Sequence, residues 1–281
     1  MKNVLVSAFA DEYSAELDIQ LEMLAQNGIK YIEPRFLYGK NVADLTESEA
    51  RDAAKKINYS GIGVSAIGSP LGKINLADDF DAHTEKARRV FETANIIGAK
   101  NIRTFSFYLH DGKSSAECRA EVIDKLGRLI DIAESHGVTL CHENEAKIYG
   151  ESPDACLDIL TAFGGKMRAV FDMGNFVLDG YRPYPDAYKK LKDYIEYFHI
   201  KDALYEGAIV PPGCGEASIR EIIRNHATDS KKEFFITLEP HLETFDGLNA
   251  LVGKSFENPY KFDSPESAFL TAIKKLQEIL Q

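Results

Sequence analysis

The chain of 281 residues is 44% hydrophobic, which is enough apolar material for a substantial core. Its 33 basic and 44 acidic side chains give a formal net charge of −11, a balance that opposes non-specific binding to nucleic acid or to an anionic membrane. Residues 1–12 turn polar too soon for a signal peptide, no apolar run approaches the ~18 residues of a membrane span, and the four cysteines form no CxxC pair. We therefore expect a soluble cytoplasmic protein with reduced thiols and with no nucleic-acid or membrane partner.

Strand-like and helix-like patterns alternate along the chain. Short apolar runs rich in β-branched and aromatic residues predict strands at residues 3–9, 30–36, 61–68, 101–108, 138–143, 168–172, 194–200 and 234–239. Helical spacing of apolar residues predicts a first helix from Ser14 to a stop at Gly28. Further helices are predicted at residues 46–58, 79–97, 115–135, 153–163, 185–191, 218–225 and 265–280. Thr46 and Glu49 have the spacing of a capping box at the second helix.

Eight strand–helix units with mostly short connections are typical of a (β/α)8 TIM barrel. The α/β pattern therefore predicts one TIM-barrel domain over residues 1–281. A doubly wound open sheet is the main alternative, but the first strand–helix turn lacks a glycine-rich dinucleotide fingerprint. Two longer loops, at residues 205–217 and 241–264, follow the last two strands, at the end of the barrel where such enzymes build their sites.

Four successive strands end in residues that bind metal ions: Glu143, Asp172, His199 and Glu239. Because side chains alternate along a strand and parallel strand ends converge in a barrel, all four can point into one site. Three carboxylates and one imidazole suit Mn²⁺, Mg²⁺ or Co²⁺, and Zn²⁺ is also possible. Taken singly, the histidine reads as a packed core residue and each carboxylate as a helix cap or loop anchor. The four together favour one metal site.

Seven short segments resemble one enzyme superfamily: SAFADE at 7–12, YIEPR at 31–35, GSPLGK at 68–73, HENE at 142–145, FDMGN at 171–175, HIKD at 199–202 and PGCG at 212–215. On these segments the chain resembles the sugar phosphate isomerase/epimerase superfamily of xylose-isomerase-like TIM barrels. The resemblance implies that Glu143, Asp172, His199 and Glu239 bind one divalent metal ion, with Mn²⁺ favoured. The sequence departs from many relatives at Asn175, where they have histidine.

The resemblance and the predicted geometry together indicate a reaction. An α-hydroxy carbonyl sugar can chelate a metal ion, which stabilises the enediolate formed when the carbon between the two oxygens loses a proton. Glu143 and Glu239, on opposite sides of the site, would act as base on one face and acid on the other. The sequence thus favours a metal-dependent isomerase or epimerase of a small sugar, ketose or sugar phosphate.

Six further residues are candidates for substrate binding: Asn175, Lys201, His241, Arg35, Lys73 and Arg103. Each has a structural alternative. Lys201 can hold a sugar oxygen or phosphate with Asp202 orienting it, or form a solvated salt bridge. Arg35 can clamp an anion, or pair internally with Glu33 on one face of the second strand. Residues 213–215 can present N–H groups to a phosphate or sugar hydroxyl, or form a tight loop.

Other functions remain open on the same fold. An inosose-type dehydratase would begin with the same proton abstraction and then lose a hydroxyl group. A catalytically silent carbohydrate-binding barrel would keep the fold, but it has no need of three converging carboxylates that repel one another. A multinuclear zinc endonuclease is disfavoured by the acidic balance and by the seven histidines, of which only His199 and His241 fall at these strand ends.

Overall fold

A computed structural model describes residues 1–242 and 260–281. The strands are β1 Val4–Ala8, β2 Tyr31–Ile32, β3 Phe36–Leu37, β4 Lys40–Asn41, β5 Gly63–Val64, β6 Asn101–Thr104, β7 Thr139–Glu143, β8 Arg168–Asp172, β9 Ile195–Ile200, β10 Asp202–Ala203, β11 Ile209–Val210 and β12 Phe234–Leu238. The α-helices are α1 Leu17–Gln26, α2 Glu47–Ser60, α3 Phe80–Ile97, α4 Ser115–Ser135, α5 Pro153–Ala162, α6 Met173–Leu178, α7 Tyr188–Leu191, α8 Ile219–Asp229 and α9 Pro265–Leu280. No helix among these residues is long and apolar enough to cross a membrane.

Eight of the described strands form a parallel ring. Six of them pair side by side in the order β1, β12, β9, β8, β7, β6, and each neighbouring pair is parallel. β2 and β5 form a second parallel pair. The N–H of Glu33 donates to the carbonyl of Ala8, and the N–H of Arg103 donates to the carbonyl of Ile67. These bonds join the pair to both edges of the larger sheet, which confirms the predicted (β/α)8 barrel.

The predicted strands at residues 30–36 and 61–68 were too long. β2 ends before Glu33 and Pro34, because proline has no N–H to donate to a neighbouring strand. Residues 36–41 instead form the short antiparallel pair β3–β4. Beyond β5, Ile67 pairs with Ile102 through an isolated parallel bridge.

Elements between β8 and β12 also differ from the prediction. α6 begins directly after Asp172 and was not predicted, while the helix expected at 185–191 is a π-helical turn, Pro183–Ala187, followed by α7. The antiparallel pair β10–β11 lies partly within the loop expected at 205–217. Most of the loop expected at 241–264 lies outside the described residues.

Side-chain alternation places two layers of residues inside the barrel. Cys141, Val170 and Tyr197 pack with Ala66 in a small interior cluster, while Leu140 belongs to the larger core that the strands share with the helices. The interior cluster lies one layer below the strand ends, since each of its strand residues precedes a predicted ligand by two positions. The capping box of Thr46 occurs as predicted, and the first helix ends before Gly28, which has a left-handed backbone conformation.

Candidate metal centre

The fold brings the four predicted ligands together. Glu143 ends β7, Asp172 ends β8, His199 lies in β9 and Glu239 follows β12. Each offers one ligand atom, the four atoms lie within 4.8 Å of one another, and all four residues are buried. The convergence follows from neighbouring parallel strands that end at one edge of the barrel. Their role as metal ligands stays a prediction.

The imidazole of His199 lies between two groups of carboxylates. Its Nδ1 is 2.6 Å from Oε1 of Glu143 and 3.2 Å from Oε2 of Glu239. Its Nε2 is 3.3 Å from Oε2 of Glu33. Burial opposes protonation, but the surrounding carboxylates of Glu143, Glu33 and Glu239 outweigh it and raise the pKa of His199 well above its ordinary value. A cation at Nδ1 would relieve the same negative charge.

The two carboxylate oxygens of Glu239 have different surroundings. Oε1 lies 3.0 Å from Nη1 of Arg35 and 3.4 Å from Nε2 of His241. Oε2 is buried without a hydrogen-bond partner, although Lys201 and the Nδ1 of His199 lie within 3.5 Å. Burial raises the pKa of Glu239, but Lys201 and His199 outweigh it and hold that pKa well below the usual range.

A hard divalent cation fits this arrangement. An ionised carboxylate oxygen that is buried and lacks a hydrogen bond carries a large desolvation cost, and a metal ion at that point would offset it. Oε2 of Glu239 is such an atom, and it is directed at the other three donors. Three oxygen donors and one nitrogen donor suit Mn²⁺ or Mg²⁺, with Co²⁺ and Zn²⁺ as alternatives.

Lys201 and Asn175 lie beside Asp172. The Nζ of Lys201 is 3.0 Å from Oδ2 of Asp172 and 3.0 Å from Oδ1 of Asn175, and this lysine is only 4% exposed. Asp172 also caps α6 by accepting the N–H of Asn175. Sequence reasoning missed Asn144, whose side-chain amide bonds both the N–H and the carbonyl of Asp172. Asn144 directly follows the predicted ligand Glu143 in the HENE segment, and this position was the signal in the sequence that could have identified it.

Arg103 reaches the site from β6. Its Nη1 lies 3.2 Å from Oε2 of Glu143 and 3.7 Å from Oε1 of Glu239. Its other nitrogens donate to the carbonyls of Gly68 and Ser69. The guanidinium is therefore held by the backbone of the GSPLGK segment while its free edge faces two predicted ligands.

The suggested Glu33–Arg35 ion pair does not form. Arg35 donates instead to Asp11, Glu12 and Glu239, at 2.9, 3.3 and 3.0 Å. The two residues do not share one strand face, because the strand ends before them. Asp11 and Glu12 belong to the SAFADE segment, and their role as partners of Arg35 was not predicted.

Lys73 and His241 occupy the rim of the site. Nζ of Lys73 lies 2.7 Å from Oε2 of Glu145, and both side chains are partly exposed. The N–H of His241 donates to Oε2 of Glu12, and its ring lies 3.2 Å from Nη1 of Arg35. Burial and the positive charges of Lys201 and Arg35 lower the pKa of His241 well below its ordinary value, with Glu239 opposing them.

Asp202 does not orient Lys201 as suggested. Its buried carboxylate accepts four backbone N–H bonds, from Ala203, Gly213, Gly215 and Ala217, at 2.8–3.0 Å. In the PGCG segment, the N–H groups of Gly213 and Gly215 thus bind Asp202, and the N–H of Cys214 donates to the carbonyl of Pro211, so none of them is directed at a substrate. This segment forms a loop fastened to the strand end next to the candidate metal centre.

Comparisons with known proteins agree with the barrel fold. A family model described as xylose isomerase-like TIM barrel matches residues 21–246. No curated protein matches the sequence significantly.

Three solved structures illustrate the likeness in fold. A xylose isomerase-like TIM barrel protein from Mycobacterium smegmatis in complex with magnesium has a TM-score of 0.69 and 18% identity, covering 99% of this chain and 95% of that chain. The probable 3-DHS dehydratase AsbF of Bacillus anthracis has a TM-score of 0.71 and 19% sequence identity, and the match covers 99% of both chains. A D-psicose 3-epimerase with D-tagatose from Clostridium cellulolyticum H10 has a TM-score of 0.72 and 12% sequence identity, and the match covers 98% of both chains. The family match over most of the sequence means that the chain belongs to the xylose isomerase-like TIM barrel family.

Proposed function

We propose that this protein is a divalent-metal-dependent isomerase or epimerase of a small sugar, ketose or sugar phosphate. The observation that carries the proposal is the buried cluster of Glu143, Asp172, His199 and Glu239, with their ligand atoms within 4.8 Å of one another. The similar structures that are named as an epimerase with a sugar and as a magnesium complex support it. We infer one ion in this cluster, with Mn²⁺ favoured.

The site's own residues would divide the work. A bound divalent ion supplies Lewis-acid polarisation of a carbonyl oxygen, which acidifies the neighbouring C–H group. Glu143 and Glu239 both contact Nδ1 of His199, from strands on either side of β9, and would exchange the substrate proton, one on each face of the carbon. Lys201 and Arg103 each present a buried cation to this space, and would hold substrate oxygens as negative charge develops.

Asn175, His241, Arg35 and Lys73 complete the proposed substrate surroundings. Arg35 and His241 border Glu239, and Lys73 lies at the rim. A dehydratase is the second candidate, because a similar structure is named a probable dehydratase and its reaction would need the same first proton abstraction. A catalytically silent sugar-binding barrel is the remaining alternative.

Solvent proton exchange tests these proposals. Protein with Mn²⁺ is incubated in D₂O with ketoses, ketose phosphates, hydroxypyruvate and inososes, and the products are followed by NMR. We expect deuterium at a carbon next to a carbonyl, with a rearranged product for an isomerase or epimerase and loss of water for a dehydratase. Glu143→Gln should abolish exchange, while Glu134→Gln, on the surface beside Lys166, should keep it. Exchange by Glu143→Gln at the wild-type rate would contradict the assignment of the base.

A further inference from the structure

We propose that Glu33 is a positioning residue that holds His199 in the tautomer required for metal binding. The proposal rests on the proposed metal centre and adds a residue that is not a ligand. Glu33 follows β2 directly and is completely buried. Its N–H donates to the carbonyl of Ala8, so its backbone is fixed to β1 at the closure of the barrel.

Two hydroxyl groups hold the carboxylate of Glu33 in place. The hydroxyl of Thr237 donates to Oε2 at 2.6 Å, and the hydroxyl of Tyr197 donates to Oε1 at 3.0 Å. Tyr197 and Thr237 each precede a predicted ligand by two residues on the same inward face, so Glu33 lies one layer below the metal centre. Both hydroxyls and the carboxylate are almost completely excluded from solvent.

His199 is the third partner of this carboxylate. Its Nε2 lies 3.3 Å from Oε2 and 3.4 Å from Oε1 of Glu33, while its Nδ1 faces Glu143 and Glu239. A neutral imidazole carries one N–H, and an ionised carboxylate can only accept. Glu143 stabilises a proton on Nδ1 in the same way, so the choice of tautomer arises when a metal ion replaces that proton. Glu33 then holds the remaining proton on Nε2, which leaves the lone pair of Nδ1 directed at the ion among the other three ligands.

A negative charge behind a metal-binding histidine has a known physical effect. It fixes the orientation of the ring and makes the coordinating nitrogen a stronger donor, and its removal commonly weakens metal binding 10–100-fold. A purely structural role, as acceptor for Tyr197 and Thr237, would change stability without changing the tautomer of His199. Metal affinity and the tautomer therefore separate the two roles.

The first test is Mn²⁺ affinity, measured by the EPR signal of free Mn²⁺. Glu33→Gln keeps the shape and one acceptor oxygen but removes the charge, and we expect binding about 10–100-fold weaker than wild type. Glu145→Gln is the matched control. It removes a carboxylate from the same end of the barrel, where Glu145 pairs with Lys73, and it should bind Mn²⁺ with nearly wild-type affinity.

The second test is the ¹⁵N NMR pattern of His199 in Zn²⁺-loaded protein. We expect a protonated Nε2 and a coordinated Nδ1 in the wild type, and loss of this single pattern in Glu33→Gln. If Glu33→Gln does not fold, Thr237→Val provides the test. This variant removes the 2.6 Å hydrogen bond to Glu33 and should also weaken Mn²⁺ binding.

If Glu33→Gln folds and binds Mn²⁺ with wild-type affinity, the proposed role of Glu33 is wrong. If only Thr237→Val folds, wild-type Mn²⁺ affinity in that variant leads to the same conclusion. A wild-type protein that binds neither Mn²⁺ nor Zn²⁺ would overturn the proposed function as well.

Discussion

The guanidinium of Arg35 and the carboxylate of Glu239 form a buried ion pair, with Nη1 of Arg35 3.0 Å from Oε1 of Glu239. The same guanidinium contacts Asp11 and Glu12. It therefore anchors one oxygen of Glu239 and leaves the other, Oε2, directed at the proposed metal ion. Arg35 links the first two strands of the barrel to the last one.

Replacing Arg35 should destabilise the fold strongly. Arg35→Met would remove the cation that three buried carboxylates share, and removing one partner of a buried ion pair typically costs about 3–5 kcal/mol. We expect this loss in the free energy of unfolding, measured by urea denaturation. Arg51→Met is the control, because Arg51 forms an exposed pair with Glu47 on α2 and should change stability by less than about 1 kcal/mol. Equal stability of the two variants would contradict the ion-pair assignment.

Divalent metal should stabilise the protein through Asp172. At a free Mn²⁺ concentration about 100 times the dissociation constant, binding adds about 2.7 kcal/mol to the free energy of unfolding. Asp172→Asn should lose most of this gain, while asparagine still accepts the N–H of Asn175 and caps α6. Urea unfolding with Mn²⁺ and with EDTA measures the difference. The same gain in both proteins would place the metal elsewhere.

Side-chain alternation explains which site residues could be predicted from sequence. Glu143 and His199 lie within regular strands, so local alternation and the order of parallel strands were sufficient to bring them together. Alternation was misapplied to Glu33 and Arg35, because Pro34 interrupts the strand that they were assumed to share.

Long-range partners could not be read from the sequence. The acceptor for the Thr237 hydroxyl lies 204 residues away in the chain, and the pair meets only because the barrel closes there. Three of the four N–H groups that bind Asp202 come from a loop whose path depends on the folded protein. Periodicity predicts which face a residue occupies, but it carries no information about which residue lies opposite.

Acid should destabilise the protein partly through His83. Its Nε2 accepts the N–H of Gly72 at 3.0 Å. Burial lowers the pKa of His83 from 6.5 to about 4, with Lys86 and Lys125 acting in the same direction and Asp78 opposing them. Between these two values the unfolded chain binds the proton and the folded chain does not, so stability is present above pH 6.5 and falls as pH falls toward 4.

Removal of His83 should flatten this pH dependence. His83→Gln keeps an acceptor near Gly72 but cannot take up a proton in this range. Between pH 7 and pH 4, we expect the free energy of unfolding to fall less in the variant than in the wild type, with a difference on the order of 3 kcal/mol. Urea denaturation of both proteins across this range measures it. Parallel curves for the two proteins would show that His83 does not contribute.

Loss of the Asp202 carboxylate should release the loop that it holds. Asp202→Ala removes an acceptor of four backbone N–H bonds, and since bonds to charged groups contribute about 1.5–3 kcal/mol each, we expect a loss of at least about 3 kcal/mol. Asp202→Asn keeps one acceptor oxygen and should fall between alanine and wild type. The measurement is urea unfolding combined with hydrogen exchange of the Gly213 and Gly215 amides. Unchanged amide protection in Asp202→Ala would contradict the assignment.

The close approach of α6 to Lys201 gives a further prediction. A Cβ atom at Gly174 would lie 2.6 Å from Cγ and 2.9 Å from the backbone carbon of Lys201, so Gly174→Ala must displace the lysine or the helix. We expect a loss of about 1–3 kcal/mol in stability from overpacking. Because Nζ of Lys201 would leave its position 3.0 Å from Asp172, proton exchange with an established substrate should slow by up to about 100-fold.

Gly127→Ala in α4 is the control, since its new methyl group meets nothing closer than 3.6 Å and alanine favours a helix. If Gly174→Ala has the same proton-exchange rate and the same free energy of unfolding as Gly127→Ala, the position of Lys201 does not depend on its contact with Gly174.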